Sequence, residues 1–198
     1  TFAVEVTLAT DLFHHSQYMT LRAKDAIVDK LRATTGKRPN VDTLHPDMQL
    51  FIHIQSDNQV IVSLDTSGAS LHHRGYRTQT NIAPINEVLA AGILLLSGWK
   101  GQSDFLDPMC GSGTFLIEAA MIACNIPASL HRKEFAFEKW ADYDVDLFET
   151  IFDSSLAKAK EFNYHLYGYD KAPSAVTKAK ENIKNARLTE YITVSQQD

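Results

Sequence analysis

The sequence predicts an α/β protein in which a small α+β unit precedes a sheet of parallel strands. After residue 100, short apolar strands alternate with helices, and such strand–helix–strand units form parallel sheets with right-handed crossovers. The first 65 residues contain strands and a helix without that regular alternation. A hydrophobic fraction of 44% and a charged fraction of 22% are those of an ordinary globular protein, which excludes disordered and fibrous chains.

The first unit is predicted from its alternating and helical patterns. Residues 2–8 alternate and are rich in β-branched side chains, as in a strand. Residues 16–34 place apolar side chains at helical spacing. Two further strands are expected at 49–55 and 59–64, joined by the turn residues 56–58.

The second unit follows a connector, residues 67–80, that is rich in Gly, Ser, His and Arg. Because strands and helices alternate beyond it, we predict two domains, residues 1–78 and residues 79–198. The elements expected in the second domain are helices at 84–99, 114–124, 148–162 and 174–186 and strands at 104–107, 165–169 and 191–195.

The charge distribution limits where nucleic acid could bind. The net charge of −5 argues against a general affinity for nucleic acid. Residues 1–80, however, hold eight Lys/Arg and eight Asp/Glu, so the whole negative excess lies beyond them. If nucleic acid binds, we therefore expect a local patch within this first stretch.

Cysteine usage and hydropathy predict the compartment. Cys110 and Cys124 form neither a disulfide framework nor a four-ligand zinc pattern, which favours a reduced, cytoplasmic environment. The longest apolar run, residues 88–99, is too short to span a bilayer, and no signal peptide is recognisable. We expect no membrane association.

The strongest candidate site is a glycine-rich loop between a predicted strand and a predicted helix. In open α/β sheets ligands bind at the carboxyl ends of the strands, where this loop would lie. Its glycines let the backbone approach a ligand closely, and the free N–H groups at the start of the helix suit an anionic group. The loop consists of Asp107, Pro108, Met109, Cys110, Gly111, Ser112, Gly113 and Thr114.

The identity of the ligand follows from the residues around these glycines. A P-loop is excluded because no Gly-Lys-Ser/Thr follows, and Leu116 stands where a dinucleotide site requires a third glycine. An acidic residue before the glycines suits a ligand with an amine beside its carboxylate, as in S-adenosylmethionine. Asp170 and Asp198 follow the next two strands, where they could accept from ribose hydroxyls and from an adenine amino group.

Simpler interpretations of these residues stay open. A Gly-x-Gly pair between strand and helix can be only a tight turn, and Asp170 can be an N-cap of the next helix. Cys110 could pass for a nucleophile, although no base stands near it in the sequence and its place in the loop favours packing.

Cationic and histidine residues are secondary candidates. Arg74 and Arg77 flank Tyr76, so they could hold RNA phosphates while the ring stacks on a base, or form structural salt bridges. Lys37 and Arg38 could contact RNA or be an ordinary solvated pair at a helix end. The adjacent histidine pairs, His14-His15 and His72-His73, lack a third ligand, so no metal site is expected.

Four segments together resemble a known family, the THUMP-domain-containing rRNA guanine-N2 methyltransferases, whose members are often labelled N6-adenine-specific DNA methylases. The resemblance covers nearly the whole chain. The segments are FLDPMCGSGTFLIEAA at 105–120, KDAIVD at 24–29 within 16–39, SLHHRGYR at 70–77, and APINE at 83–87 leading into LAAG at 89–92.

This resemblance implies the N-terminal half of a Rossmann-like class I methyltransferase domain that uses S-adenosylmethionine, preceded by the C-terminal part of an RNA-binding THUMP domain. The loop 107–114 would hold the cofactor, with Asp170 at its ribose and Asp198 at its adenine. Residues 127–163 would be the family's insertion between the first two strands of that domain.

The implied activity is methylation of the guanine N2 amine in ribosomal RNA. An N6-adenine methylase and a non-catalytic RNA-binding module stay open as alternatives. In the family an Asn/Asp-Pro-Pro-Tyr loop holds the target base, and no such string occurs in this sequence. The catalytic residues are therefore unassigned, and we expect a fragment that binds cofactor without transferring methyl groups by itself.

Overall fold

A computed structural model describes residues 1–78 and 84–197 of the chain. The predicted α/β class is confirmed, with one three-stranded sheet in each of two compact units. Unit 1 comprises residues 1–69 and 134–143, and unit 2 comprises residues 70–133 and 144–198. The domain boundary between residues 78 and 79 stays a prediction.

Unit 1 is a helix packed on a mixed sheet. The strands are β1 (Phe2–Leu8), β2 (Met48–Ile54) and β3 (Val60–Asp65), and the helix is α1 (Ser16–Thr35). β1 pairs with β2 in parallel, and β2 pairs with β3 antiparallel. α1 ends at Gly36, whose left-handed φ of 70° favours glycine. The buried core consists of Phe2, Val4, Val6, Val28 and Ile54.

Residues 134–143 belong to unit 1, although the chain on both sides of them belongs to unit 2. They contain one turn of 3-10 helix, Ala136–Lys139. The Ala136 N–H donates to the Ser67 carbonyl at 3.2 Å, and the Trp140 indole N–H donates to the Asp47 carbonyl at 3.1 Å. Part of the predicted insertion therefore completes the first unit, which no local pattern in the sequence indicated.

Unit 2 is built on a sheet in the order β4–β5–β6, and both strand pairs are parallel, as predicted. Its central helix α3 is almost entirely buried, which explains its unbroken apolar composition. The elements are α2 (Glu87–Ser97), β4 (Phe105–Asp107), α3 (Thr114–Ala123), α4 (Val145–Leu156), β5 (Leu166–Asp170), α5 (Pro173–Asn185) and β6 (Ile192–Gln196).

Two helices begin three residues away from their predicted starts because of their N-caps. The side chain of Asn86 accepts from the Val88 and Leu89 N–H groups, so α2 begins at Glu87 rather than at residue 84. The side chain of Asp144 accepts from the Leu147 N–H, so α4 begins three residues before the predicted start. The helix ends at Leu156, six residues before the predicted end. Within the described part of the chain, no helix has both the length and the apolar character needed to cross a membrane.

Gly168 provides a test of packing at the centre of unit 2. A Cβ at this position in β5 would meet the Leu116 Cδ1 atom and lie 3.2 Å from the Cys110 sulfur. We expect Gly168→Ala to lower the free energy of unfolding by about 1–3 kcal/mol through overpacking. The measurement is urea denaturation followed by circular dichroism.

Gly92 is the matched control, since nothing lies within 4 Å of a Cβ added there. Gly92→Ala should raise stability by about 0.5–1 kcal/mol, because alanine is the better helix former. Equal stability of the Gly168→Ala variant and the unmodified chain would contradict the close packing of β5 against α3.

Candidate functional site

The candidate site lies at the carboxyl edge of the second sheet. Asp107 is the last residue of β4, and Asp170 is the last residue of β5. The register pairs Asp107 with Gly168 and Asp170 with Gln196, so the ends of the three strands share one edge. The predicted convergence of Asp107 and Asp170 follows from this parallel register. Asp198 lies outside the described residues.

The loop from Asp107 to Thr114 turns through two left-handed glycines. Gly111 has φ 55° and Gly113 has φ 83°, a region that other residues rarely adopt. The Gly113 N–H donates to the Cys110 carbonyl at 2.8 Å and closes the turn. A Cβ on Gly113 would lie 3.3 Å from that of Ala179, so glycine also permits α5 to approach the loop.

Asp170 joins the loop to the next strand. Its Oδ2 accepts from the Gly111 N–H at 3.0 Å, and its Oδ1 accepts from the Ala172 N–H at 2.9 Å. The N-cap position of α5 is occupied by Ala172, not by Asp170. The carboxylate therefore holds the loop at Gly111 and the chain before α5 at once, and each oxygen can still accept a second hydrogen bond.

Asp107 lies in an electrostatically unfavourable position for a carboxylate. It is half-buried, and its burial raises its pKa above the ordinary value of 3.8. The negative charge of Asp170 raises that pKa further, against a hydrogen bond that Asp107 accepts from the Met109 N–H at 3.1 Å. A cation bound beside these two carboxylates would relieve their repulsion.

The remaining loop residues divide between surface and core. Pro108 and Met109 are exposed, while Ser112 and Thr114 are buried. Burial raises the pKa of the buried Cys110 thiol to about 12, with Asp107 and Asp170 adding to the effect. Such a thiol is protonated at neutral pH, which agrees with packing rather than with a nucleophile.

The connector residues turn inward within unit 2. Tyr76 is 1% exposed, and its hydroxyl donates to Glu118 Oε1 at 3.0 Å. Arg74 pairs with the other Glu118 oxygen at 3.4 Å, and Arg77 lies 3.3 Å from Glu87. A ring so fully covered presents no face to a base, so for these three residues the structure favours the structural alternative over RNA contact. Lys37 and Arg38 are exposed after α1 in unit 1.

Three buried polar residues near the loop were missed by sequence reasoning: Glu87, Glu118 and Asn182. Burial raises the pKa of Glu118, while Arg74 and Tyr76 oppose that shift. The signal for the two glutamates was present, since each stands in an otherwise apolar helix and a buried carboxylate requires a partner. Across residues 1–78 and 84–197, no three His, Cys, Asp or Glu side chains gather as metal ligands would.

Comparison with protein families finds two matches along the chain. Residues 74–198 match the RMKL-like methyltransferase domain, and residues 1–65 match the THUMP domain. The methyltransferase match contains the glycine loop, Asp107 and Asp170, and it begins at Arg74.

Comparison with solved structures finds relatives along the whole chain. SMU.472, described as a candidate methyltransferase and solved in complex with SAH, is 33% identical over 98% of this chain and 52% of its own, with a TM-score of 0.85. A possible methylase from Clostridium difficile 630 is 34% identical over 100% of this chain and 52% of its own, with a TM-score of 0.88.

Two more solved structures extend this comparison. A protein from Listeria monocytogenes named as a predicted N6-adenine-specific DNA methylase is 30% identical over 100% of this chain and 52% of its own, with a TM-score of 0.89. TrmN from Thermus thermophilus shares the fold alone, at 18% identity over 100% of this chain and 46% of its own, with a TM-score of 0.63. The chain thus spans about half the length of these relatives.

Proposed function

This chain belongs to the RMKL-like methyltransferase family and carries a THUMP domain, and from that premise we propose that it contributes the cofactor site of an S-adenosylmethionine-dependent RNA methyltransferase. The observation that carries the proposal is the loop 107–114, held at the sheet edge between two acidic strand ends. The SAH complex of the relative SMU.472 supports the choice of cofactor.

The described residues fit the chemistry of this cofactor. Its methionine part has a cationic amine, and the sulfonium adds a second positive charge. Burial raises the pKa of Asp107 and the nearby charge of Asp170 raises it further, so a cationic ligand that stabilises the charged form is favoured there. The N–H groups at the first turn of α3 lack partners within the helix and suit the carboxylate of the same ligand.

The chain's own residues would bind and orient the cofactor. Asp107 would accept from the amine, and Asp170 would use the remaining capacity of its two oxygens for the ribose hydroxyls. Asp198 is proposed to accept from the adenine amino group. The bound cofactor supplies an electrophilic methyl group, and a buried Cys110 thiol with a pKa of about 12 offers no competing nucleophile at neutral pH.

The proposed substrate is the guanine N2 amine of ribosomal RNA, reached through the THUMP domain. The family resemblance and the THUMP match support RNA as the partner. The exposed pair Lys37 and Arg38 is the remaining candidate for phosphate contact, since Arg74, Tyr76 and Arg77 are engaged internally. An N6-adenine methylase is the second candidate, favoured by the name of the Listeria relative.

Cofactor binding is tested by calorimetric titration of this chain with S-adenosylhomocysteine. We expect micromolar binding by the unmodified chain and at least about tenfold weaker binding by Asp170→Ala, because the charged acceptor for the Gly111 N–H and the ribose is lost. Asp153→Ala, which removes an exposed carboxylate of α4, is the control and should bind normally. No binding by a demonstrably folded chain would contradict a cofactor site within these residues.

The charge state of Asp107 predicts how binding depends on pH. Its raised pKa means that the carboxylate is protonated at a higher pH than an ordinary aspartate, and the neutral form attracts the amine less. Affinity for S-adenosylhomocysteine should therefore fall as the pH is lowered through that pKa. Asp107→Asn should bind weakly with no such dependence, and an identical pH profile in both proteins would refute the role of Asp107.

The base specificity is tested with the full-length protein and ribosomal RNA from cells that lack it. After incubation with labelled S-adenosylmethionine, nucleosides are separated by mass spectrometry. We expect the label in N2-methylguanosine. Label in N6-methyladenosine would replace the guanine assignment by the second candidate, and tight cofactor binding without transfer would favour a non-catalytic RNA-binding module.

A further inference from the structure

We propose that Arg77 is a positioning residue for the cofactor loop and holds it through Thr114. The inference rests on the proposed function, since it concerns the loop that would bind S-adenosylmethionine. Arg77 lies in the connector, 30 residues before the loop, and was expected either to contact RNA or to form a salt bridge. It forms the salt bridge, to Glu87, and also donates a hydrogen bond to the first residue of α3.

The Arg77 guanidinium contacts three groups. Its Nη2 donates to the Thr114 hydroxyl at 2.6 Å and to the Ile85 carbonyl at 3.0 Å. Its Nε lies 3.3 Å from Glu87 Oε1. Because Glu87 is the first residue of α2, one planar side chain joins the beginnings of α2 and α3.

The charge of Arg77 is already neutralised by its partner. The side chains of Arg77 and Glu87 are 12% and 3% exposed, so the pair is shielded from solvent and from a phosphate backbone. Its influence on the loop is therefore through geometry rather than through a free positive charge. Thr114 itself is 3% exposed, so its hydroxyl has no ready exchange with water for a lost partner.

Two further hydrogen bonds, through Asn182, join the same connector to the loop. The Thr78 N–H donates to Asn182 Oδ1 at 3.2 Å, and the Asn182 amide donates to the Ser112 carbonyl at 3.1 Å. With Asp170 at Gly111, side chains from three separate segments thus hold Gly111, Ser112 and Thr114. Arg77 secures the end of the loop that leads into α3.

This attachment matters because α3 presents its free N–H groups to the ligand at this end. A ligand carboxylate binds well only if these groups stand in place before it arrives, since ordering them on binding would cost affinity. Loss of the Arg77–Thr114 bond should therefore loosen the loop more than the rest of unit 2.

The test compares four variants of this chain by amide hydrogen exchange and by titration with S-adenosylhomocysteine. Thr114→Val removes the hydroxyl and keeps the shape, while Thr114→Ser keeps the hydroxyl and serves as the rescue. Arg77→Lys keeps the charge beside Glu87 and loses the planar fork. Tyr76→Phe is the matched control, because it deletes one hydrogen bond to α3 one turn further on, at Glu118.

We expect Thr114→Val and Arg77→Lys to accelerate exchange of the Gly111 and Gly113 amides by about tenfold and to weaken cofactor binding by about the same factor. Thr114→Ser should retain both properties. Tyr76→Phe should lower the melting temperature without changing either. Unchanged loop exchange in Thr114→Val and Arg77→Lys would overturn the positioning role.

The exchange measurement separates this inference from the proposed function. If the unmodified chain fails to bind S-adenosylhomocysteine, the cofactor assignment falls, yet exchange of Gly111 and Gly113 still decides whether Arg77 holds the loop. If the cofactor binds and loop exchange rises equally in Tyr76→Phe and Thr114→Val, Arg77 contributes only to general stability and the inference is wrong.

Discussion

The bond between the Asp170 carboxylate and the Gly111 N–H is the interaction on which the candidate site depends. A parallel sheet brings the ends of β4 and β5 to one edge, but it does not fix the loop that leaves β4. Asp170 supplies that attachment while also binding the chain before α5. One side chain thus orients the loop and retains acceptor capacity toward a ligand.

The attachment has an electrostatic cost that defines the class of ligand. Burial at the sheet edge raises the pKa of Asp107, and the charge of Asp170 beside it raises that pKa further, so the charged form of Asp107 is disfavoured. Shifted pKa values of this kind cluster at functional sites. A bound cation would stabilise the charged form of Asp107, which explains why acidic strand ends and a helix N-terminus together suit a zwitterionic amino-acid group.

Much of this organisation could be predicted because it is local or periodic. Strands β1 to β6 were expected within one residue of their observed bounds, and the acidic ends of β4 and β5 were expected at the last residue of one predicted strand and directly after the other. Residues 134–143 could not be assigned, because their hydrogen bonds are with residues 47 and 67, far away in the sequence. The start of α4 was missed although its signal is local, since the Asp144 side chain caps the helix by accepting from the Leu147 N–H three residues further on.

The connector shows what distinguishes a cation that binds nucleic acid from one that holds a fold. Arg74 and Arg77 beside a tyrosine have the composition of a phosphate-binding patch, and composition alone leaves both roles open. The deciding residues are the glutamates placed within apolar stretches of α2 and α3, since a buried carboxylate requires a cationic or donating partner. Before a basic cluster is assigned to RNA, the apolar helices should therefore be searched for acidic residues that would require a cationic partner when buried. In this chain Glu118 pairs with Arg74 and Glu87 pairs with Arg77.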